Sequence, residues 1–377
     1  MSLIINLSEC TRSKGDSICW SKTLYISNKL LFLAGIVVLL SAGCVQREKE
    51  SAEDSVKLRF RLGLELNADT KIWEVSNLFK AELEKASLKD SIKQGEIDVE
   101  FYDQGAIGSE RQLLEAGYFG VVEMVQVNTA VVTAIEPAFG LLNLPYLFRN
   151  EAHHQGVLNG EPGKKILKML TKHNLQGLGF YSAGFRNMFY KYSTDIPCPN
   201  SPADLGGLKI RVMESPTMIS TINAMGASAA PLPFSELYQG IKTGVVDGAE
   251  NSAKVFISSR YHEAGINCFT LTEHTTDQHV LIANSDWLES LDSKYKRRIE
   301  EVSREIIPAF NSIWEETTLD AISQIERVGV RINEVEDKAG FLKAVEPVYV
   351  HFFKSYPAVS YSLYESIKNY EYYDSIR

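Results

Sequence analysis

From Val56 onward the hydrophobic pattern of this chain switches repeatedly between alternation and helical spacing, and that switching limits its fold more than any other feature. Val56, Leu58, Phe60 and Leu62 alternate with Lys57, Arg59 and Arg61, so a strand here buries one face. Ile72, Val75, Phe79 and Leu83 then recur at the spacing of one helix face. Ile97, Val99 and Phe101 form a second strand, Arg111 to Ala116 opens a second helix, and Met124 to Asn128 reads as a third strand. A helix from Lys164 to His173 leads into a strand from Gln176 to Tyr181. Repeated units of this kind predict an α/β fold in which parallel sheets are covered by helices. The binding face is then at the carboxyl ends of the strands.

The second half continues the theme. A helix is predicted near Thr217 to Met225, and glycine at Gly244 ends the next one before a short strand that runs to Asn251. His279 to Asn284 reads as a strand, and Asp292 to Arg327 as one long helix interrupted and kinked at Pro308. A helix of that length is expected to span two lobes. Val330 to Val335 is a last strand, and the tyrosine-rich end, with Tyr361, Tyr364 and Tyr370, packs back on the body.

At 377 residues the chain is long enough for about two domains. A formal net charge of -9, with no basic run long enough to track phosphates, argues against a nucleic-acid partner. Net charge does not decide the ligand, because a local arginine pocket can still hold an anion.

The first stretch reads as an address. Lys22 and Lys29 precede an apolar run from Leu30 to Ala42, the pattern of a secretory signal and too short to span a membrane. It ends Leu40-Ser41-Ala42-Gly43-Cys44, which resembles the bacterial lipobox, with Cys44 as the lipidated mature terminus and Gln46 to Asp54 as a charged tether. The alternative is a plain signal with an incidental cysteine. The region before Lys22 is long and polar for a signal, which points to a start downstream of Met1. In the folded part Cys198 and Cys268 remain. An oxidising compartment permits a bridge between them, but two cysteines make no disulfide framework, and two buried free thiols are expected.

The segment Asp204 to Val212 concentrates chemistry. Leu208, Ile210 and Val212 alternate with Lys209 and Arg211, and Gly206 and Gly207 allow a turn just before. An arginine at a strand's carboxyl end can point into a crevice and grip a carboxylate through two parallel hydrogen bonds. Taken alone, the segment equally fits a surface strand whose Arg211 pairs with a neighbouring acid. Enzyme signatures fail. Phe180-Tyr181-Ser182-Ala183-Gly184 lacks the first glycine of a nucleophile elbow, and Gly163-Lys164 is followed by Lys165 where a phosphate loop needs Ser or Thr. The histidines do not fall at metal-ligand spacing on a helix, and no cysteine pair supports zinc.

Gly184-Phe185-Arg186, Asp204 to Val212, Pro233-Phe234-Ser235-Glu236-Leu237-Tyr238 and Thr243 to Asn251, in this order, resemble the motif set of the solute receptors of tripartite ATP-independent periplasmic (TRAP) transporters. Gln112-Leu113-Leu114-Glu115 and Leu144-Pro145-Tyr146-Leu147-Phe148 also fit. The resemblance implies a periplasmic binding protein-like α/β fold of two lobes, joined by crossing strands and a long helix, that closes on an organic anion without a cofactor or metal. It implies a signal over 1–43, a lipidated cysteine and tether over 44–55, one lobe from 56–183 plus about 277–316, and a second from 184–276 plus about 317–377. Arg211 resembles the arginine that clamps the ligand carboxylate, Arg186 the second cleft arginine, and Asn251 the amide beside them. Phe234 stands where an aromatic wall lines the pocket, and Asn67 where the first lobe makes a polar contact. Glu250 either meets the ligand or, with Asp247, balances the arginines. Sialic-acid receptors carry Glu-x-x-Arg where this chain reads Asn128-Thr129-Ala130-Val131, which argues against that ligand. The run from Asn128 to Phe148 and Thr272-Glu273-His274 are more similar to receptors for hexuronates, with His274 placed to reach a hydroxyl. A C4-dicarboxylate or another hydroxy acid is the competing ligand, an exported sugar-acid enzyme the competing class. The implied partner is the membrane permease, at the extracytoplasmic face.

Overall fold

The computed structural model describes residues 3–13, 16–26, 56–64, 71–102, 107–192, 198–335 and 338–371. It divides into two units, Met1–Ser55 and Val56–Arg377. In the first, β1 (Leu3–Ser13) pairs antiparallel with β2 (Asp16–Ile26). Lys22, expected to flank a signal, lies within β2, where Ile18, Trp20, Thr23 and Tyr25 favour the extended state. The apolar run, Cys44 and the tether lie outside the described residues, as does Asn67.

The strands of the second unit are β3 (Leu58–Leu64), β4 (Ile97–Tyr102), β5 (Met124–Asn128), β6 (Leu175–Tyr190), β7 (Lys209–Val212), β8 (Ser228–Pro231), β9 (Gly248–Asn251), β10 (Cys268–Asn284) and β11 (Arg331–Glu334). They form one sheet in the order β4-β3-β5-β10-β6-β9-β7-β8, with β11 on β10. The expected parallel pairing holds in each half: β3 runs parallel to β4 and β5, and β7 to β8 and β9. The middle departs from that expectation. There β10 is antiparallel to β5 and β6, and β6 to β9. The reason is the length of the two central strands, 16 residues for β6 and 17 for β10, far beyond the short segments whose alternation is legible. Each strand belongs to both halves and joins them, so the sheet is mixed.

Alternation sends neighbouring residues of these strands to different cores. Val125, Val127, Val280 and Ile282 join a core that runs across both halves, together with Ile210, Val212, Met218, Phe341 and Phe352. Met124, Tyr181, Leu281 and Ala283 point the other way, into a core with Phe60, Phe79 and Val99. In the second half that face carries a separate core around Phe189, Ile241, Phe256 and Phe269. One face of the sheet is thus continuously covered, and the other bears two clusters with a gap between them.

The helix Ser293–Arg327 bridges that gap. It contributes Ile299, Val302, Ile306 and Ile307 to one cluster and Ala321 and Ile325 to the other, the two-lobe span its length predicts. Pro308 does not interrupt it, and the helix continues on both sides. At the tail, helix Ala339–Ser355 packs on Pro216–Ala224, while helix Tyr361–Lys368 packs on Glu161–Met169. Arg149 donates to the Lys368 and Tyr370 carbonyls at 2.7 and 2.9 Å, so the tail ties across both halves.

Cys198 and Cys268 form a disulfide, which corrects the expectation of free thiols. Their Cα atoms lie 6.0 Å apart because the segment holding Cys198 returns alongside the start of β10, a proximity invisible across 70 residues of sequence. Among the described residues no helix is long and apolar enough to cross a membrane.

Candidate ligand-binding site

Two arginines reach the centre of the sheet by different local means. On β7, Ile210 and Val212 turn into the core, which leaves Arg211 on the opposite face. Because β8 and β9 flank β7 on both sides, Arg211 is only 2% exposed, and the surface-strand alternative falls. Its Nε donates to the Leu232 carbonyl at 2.7 Å, which fixes the guanidinium at the strand end. Arg186 depends on an irregularity in β6. The β6–β10 register shifts between Thr276 and Gln278, and Gly184 opposite adopts φ 78°, a left-handed conformation open to glycine without strain. The bulge re-aims the following residues, and Arg186 enters a site where it is 1% exposed.

Arg186 is held on three sides. Its Nε and Nη2 grip the Glu250 carboxylate, the latter at 2.9 Å; Nη2 also donates to the Glu250 carbonyl at 2.7 Å, and Nη1 lies 2.7 Å from Asp277 Oδ1. Asn128 Nδ2 donates to the same Asp277 oxygen at 2.7 Å, while its backbone N–H donates to Glu110 at 2.9 Å. His279 sits between the two acids, 3.7 Å from Glu110 and 3.8 Å from Asp277. Glu110, Asn128, Arg186, Arg211, Met213, Phe234, Asn251, Val255, Asp277 and His279 together line a small, partly open cavity of about 20 Å³. Phe234 packs against the clusters of both halves, and Val255 belongs to the first-half cluster although its helix, Ala253–Ser258, lies in the second. The halves therefore touch around the cavity.

The family profile of the bacterial extracellular solute-binding proteins, family 7 (DctP), matches residues 66–355. The chain belongs to this family. It is 32% identical over 265 residues to a solute-binding protein of Chromohalobacter salexigens, covering 70% of this chain and 77% of that one. It is 29% identical over 267 residues to the C4-dicarboxylate-binding periplasmic protein DctP of Rhodobacter capsulatus, covering 70% and 78%. A TRAP periplasmic solute-binding protein from Citrobacter koseri, solved with bound D-glucuronate, superposes with a TM-score of 0.74 at 28% identity, covering 83% of this chain and 99% of that one. The chain is thus a TRAP solute receptor with the two-lobe fold of that family.

In this family 7 receptor the predicted residues Asn128, Arg186, Arg211, Phe234 and Asn251 converge on one cavity. Glu250 and His274 do not line it. Glu250 lies behind Arg186 as its counter-ion, and His274, fully buried, stands 3.6 Å from Glu250 and hydrogen-bonds Thr272 at 2.8 Å. The expected reach of His274 to a ligand hydroxyl is corrected accordingly: β10 turns its ring to the acid behind the guanidinium. Asp247 is also elsewhere, accepting the Lys209 N–H at 2.7 Å. Glu110, Met213, Val255, Asp277 and His279 were not anticipated. The signal for Asp277 and His279 was their place at the end of a polar run, Thr272 to His279, just before the apolar Val280 to Ala283, with both residues on one face. Glu110 carried no signal beyond its place at a helix start.

Burial by itself opposes the Arg186 charge, but Glu250 and then Asp277 outweigh it and hold the guanidinium more firmly protonated than usual. Burial would likewise raise the Glu250 carboxyl, and Arg186 overrides that to hold it at about 2. Burial pushes the His279 imidazole below its ordinary range, so it is neutral near pH 7.

A larger groove of about 320 Å³ runs beside the long helix, lined by Lys164, Gln176, Glu300 and Arg304, and holds none of the expected residues. Among the described residues, Ser182, Glu151 and His154 do not have the arrangement of a hydrolase triad. Glu151 and His154 both face the Ser182 hydroxyl, at 2.5 and 3.3 Å, so the acid does not orient the far nitrogen of the imidazole, and Ser182 is buried. No cluster of metal-binding side chains occurs among the described residues.

Proposed function

We propose that this receptor captures a hexuronate, such as D-glucuronate or galacturonate, and presents it to a TRAP permease. The observation that carries the reading is the convergence of Arg211, Asn251 and Phe234 from the second half with Asn128 and His279 from the first on one cavity. Arg211 clamps the carboxylate in its guanidinium fork, and Asn251 adds an amide hydrogen bond. Arg186, committed to Glu250 and Asp277, fixes the positions of Asn128 and Asp277 and supplies the field beneath the ligand. Phe234 covers the apolar face of the sugar ring, and Asn67 adds a polar contact from the first lobe. Two charge-assisted hydrogen bonds of about 1.5 to 3 kcal/mol each, plus neutral ones to hydroxyls, suffice for micromolar affinity.

The lobes are 56–183 with about 277–316, and 184–276 with about 317–377, the tail helices tying one to the other. The site takes contacts from both, so binding favours the closed arrangement, which is the shape the permease reads. Capture needs no bond cleavage, and the chain acts without turnover. Cys44 carries the lipid that tethers the receptor at the extracytoplasmic face; Cys44→Ser should move it from the membrane fraction to the soluble one.

A C4-dicarboxylate is the second reading, supported by the Rhodobacter capsulatus relative. Thermal-shift screening and calorimetry with hexuronates, C4-dicarboxylates and keto acids test the proposal. Saturable hexuronate binding without product formation supports it. Absence of binding across the panel, or product release, overturns it.

A further inference from the structure

We propose that Ser182, Gln278 and Asn311 form the fulcrum on which the two halves close, and so set ligand affinity from outside the cavity, an inference that rests on the receptor reading above. Three described elements pass between the halves: β6, β10 and the helix Ser293–Arg327. All three meet at Ser182. On β6, Ala183 belongs to the first-half cluster and Phe189 to the second-half one, so Ser182 stands where the strand leaves the first half. The long helix makes the same passage between Ile307 and Ala321, and in that interval its Asn311 Oδ1 accepts the Ser182 N–H at 2.9 Å. On β10 the residue in register with Ser182 is Gln278, which borders the register shift opposite Gly184.

The three side chains are buried, at most 2% exposed, and are bonded into the first half. The Ser182 hydroxyl donates to Glu151 at 2.5 Å and accepts the Gly184 N–H at 3.3 Å, which joins the β6 bulge to the helix Glu151–Asn159. Gln278 Nε2 donates to Thr129 Oγ1 and to the Leu142 carbonyl, both at 2.9 Å, and its Oε1 accepts the Thr276 hydroxyl at 2.6 Å. Asn311 Nδ2 is buried without a partner, so the oxygen is the half of that amide the sheet uses. A buried polar network of this kind holds its members in one geometry. The bending that opens the divided face then falls beyond it, at the Gly184 bulge and on the long helix past Asn311. None of the three side chains is among the described lining of the cavity. They are positioning residues, acting through the balance between open and closed forms. Their bonds are made here with the halves in contact around the cavity. Breaking one lowers the closed fraction, which divides the affinity for every ligand by the same factor.

Two variants test this. Asn311→Leu keeps the volume and removes the tie to Ser182; Ser182→Ala keeps the N–H for Asn311 and removes the hydroxyl that joins Glu151 to the bulge. Calorimetric titration with D-glucuronate, D-galacturonate and succinate should show each variant weaker than the wild type by at least fivefold, by one factor for every acid the wild type binds. Small-angle scattering at saturation should show the wild-type contraction, since the closed form is reached at higher ligand concentration. Unchanged affinity in a folded variant means a network that only stabilises the fold, and overturns the inference. Factors that differ more than threefold between acids, or a wild type that binds without contracting, overturn it too, and in each case the receptor reading stands. A wild type that binds none of these acids overturns the reading itself, and the inference with it. Either variant alone gives the readout, so an Asn311→Leu protein that fails to fold leaves Ser182→Ala to decide.

Discussion

Arg186 and Arg211 are nearly equal in burial and differ in what holds them, two acids for Arg186 and the Leu232 carbonyl among the partners of Arg211. Arg186 spends its donors on Glu250 and Asp277, so its removal strands two buried acids as well as a cavity wall. Arg186→Met should destabilise the protein by about 3 to 5 kcal/mol, the cost of breaking a buried pair from one side, measured by denaturant unfolding. Arg211→Lys should leave stability nearly unchanged and weaken hexuronate binding at least tenfold, because an ammonium keeps the charge and loses the fork. Calorimetry on a variant with a native melting profile checks it, and unchanged affinity removes Arg211 from the ligand. Glu250 sets an acid limit. Its carboxyl is held at about 2 in the folded protein against an ordinary value of 4.5, so its contribution is fully present above about pH 4.5 and is lost as the pH falls towards 2. His279, pushed below its ordinary 6.5, adds a loss that begins as the pH drops through 6.5. Stability measured from pH 8 to pH 3 should therefore decline in both windows.

At the scale of elements, β6 and β10 carry the site because each is irregular where it crosses between the halves. Gly184→Val forces a β-branched residue into a left-handed conformation at the bulge and should cost about 1 to 3 kcal/mol while displacing Arg186, read as lower unfolding stability together with weaker ligand binding. The glycine at Gly248 serves a different need: a Cβ there would stand 2.0 Å from the Phe189 carbonyl, so β9 could not approach β6 and Glu250 would not reach Arg186. The disulfide from Cys198 to Cys268 pins the start of β10 and closes a loop of 70 residues. Its loss in Cys198→Ser should cost about 2 to 5 kcal/mol, observed as a lower melting temperature that reductant reproduces in the wild type.

At the scale of the molecule, one sheet face is covered by a core common to both halves, and the other bears two clusters bridged by the helix Ser293–Arg327 and by Phe234. Such an arrangement permits opening on the divided face while the continuous face holds the halves together. Since both halves line the cavity, a bound ligand stabilises the closed form by mass action. At a hexuronate concentration 100 times Kd, unfolding should require about 2.7 kcal/mol more, and small-angle scattering should show contraction on ligand addition. Stabilisation without contraction would place the ligand on one half alone.

The amino-acid sequence by itself determined the α/β class, the helix long enough to join two lobes, and Arg211 at a strand end, since each follows from local spacing and residue chemistry. Arg186, read at the end of a strand, lies inside β6. Pairing direction in the central strands, the disulfide and the place of Glu110, Met213, Val255, Asp277 and His279 in the site came only from tertiary structure. His279 meets Glu110 and shares one cavity with it and Asp277 across more than 160 positions of chain, and His274 turns to Glu250 instead despite lying near them in sequence. Local periodicity reports which face of an element is apolar; which polar groups share a cavity depends on how long strands cross and bulge, and that is fixed by packing between distant segments.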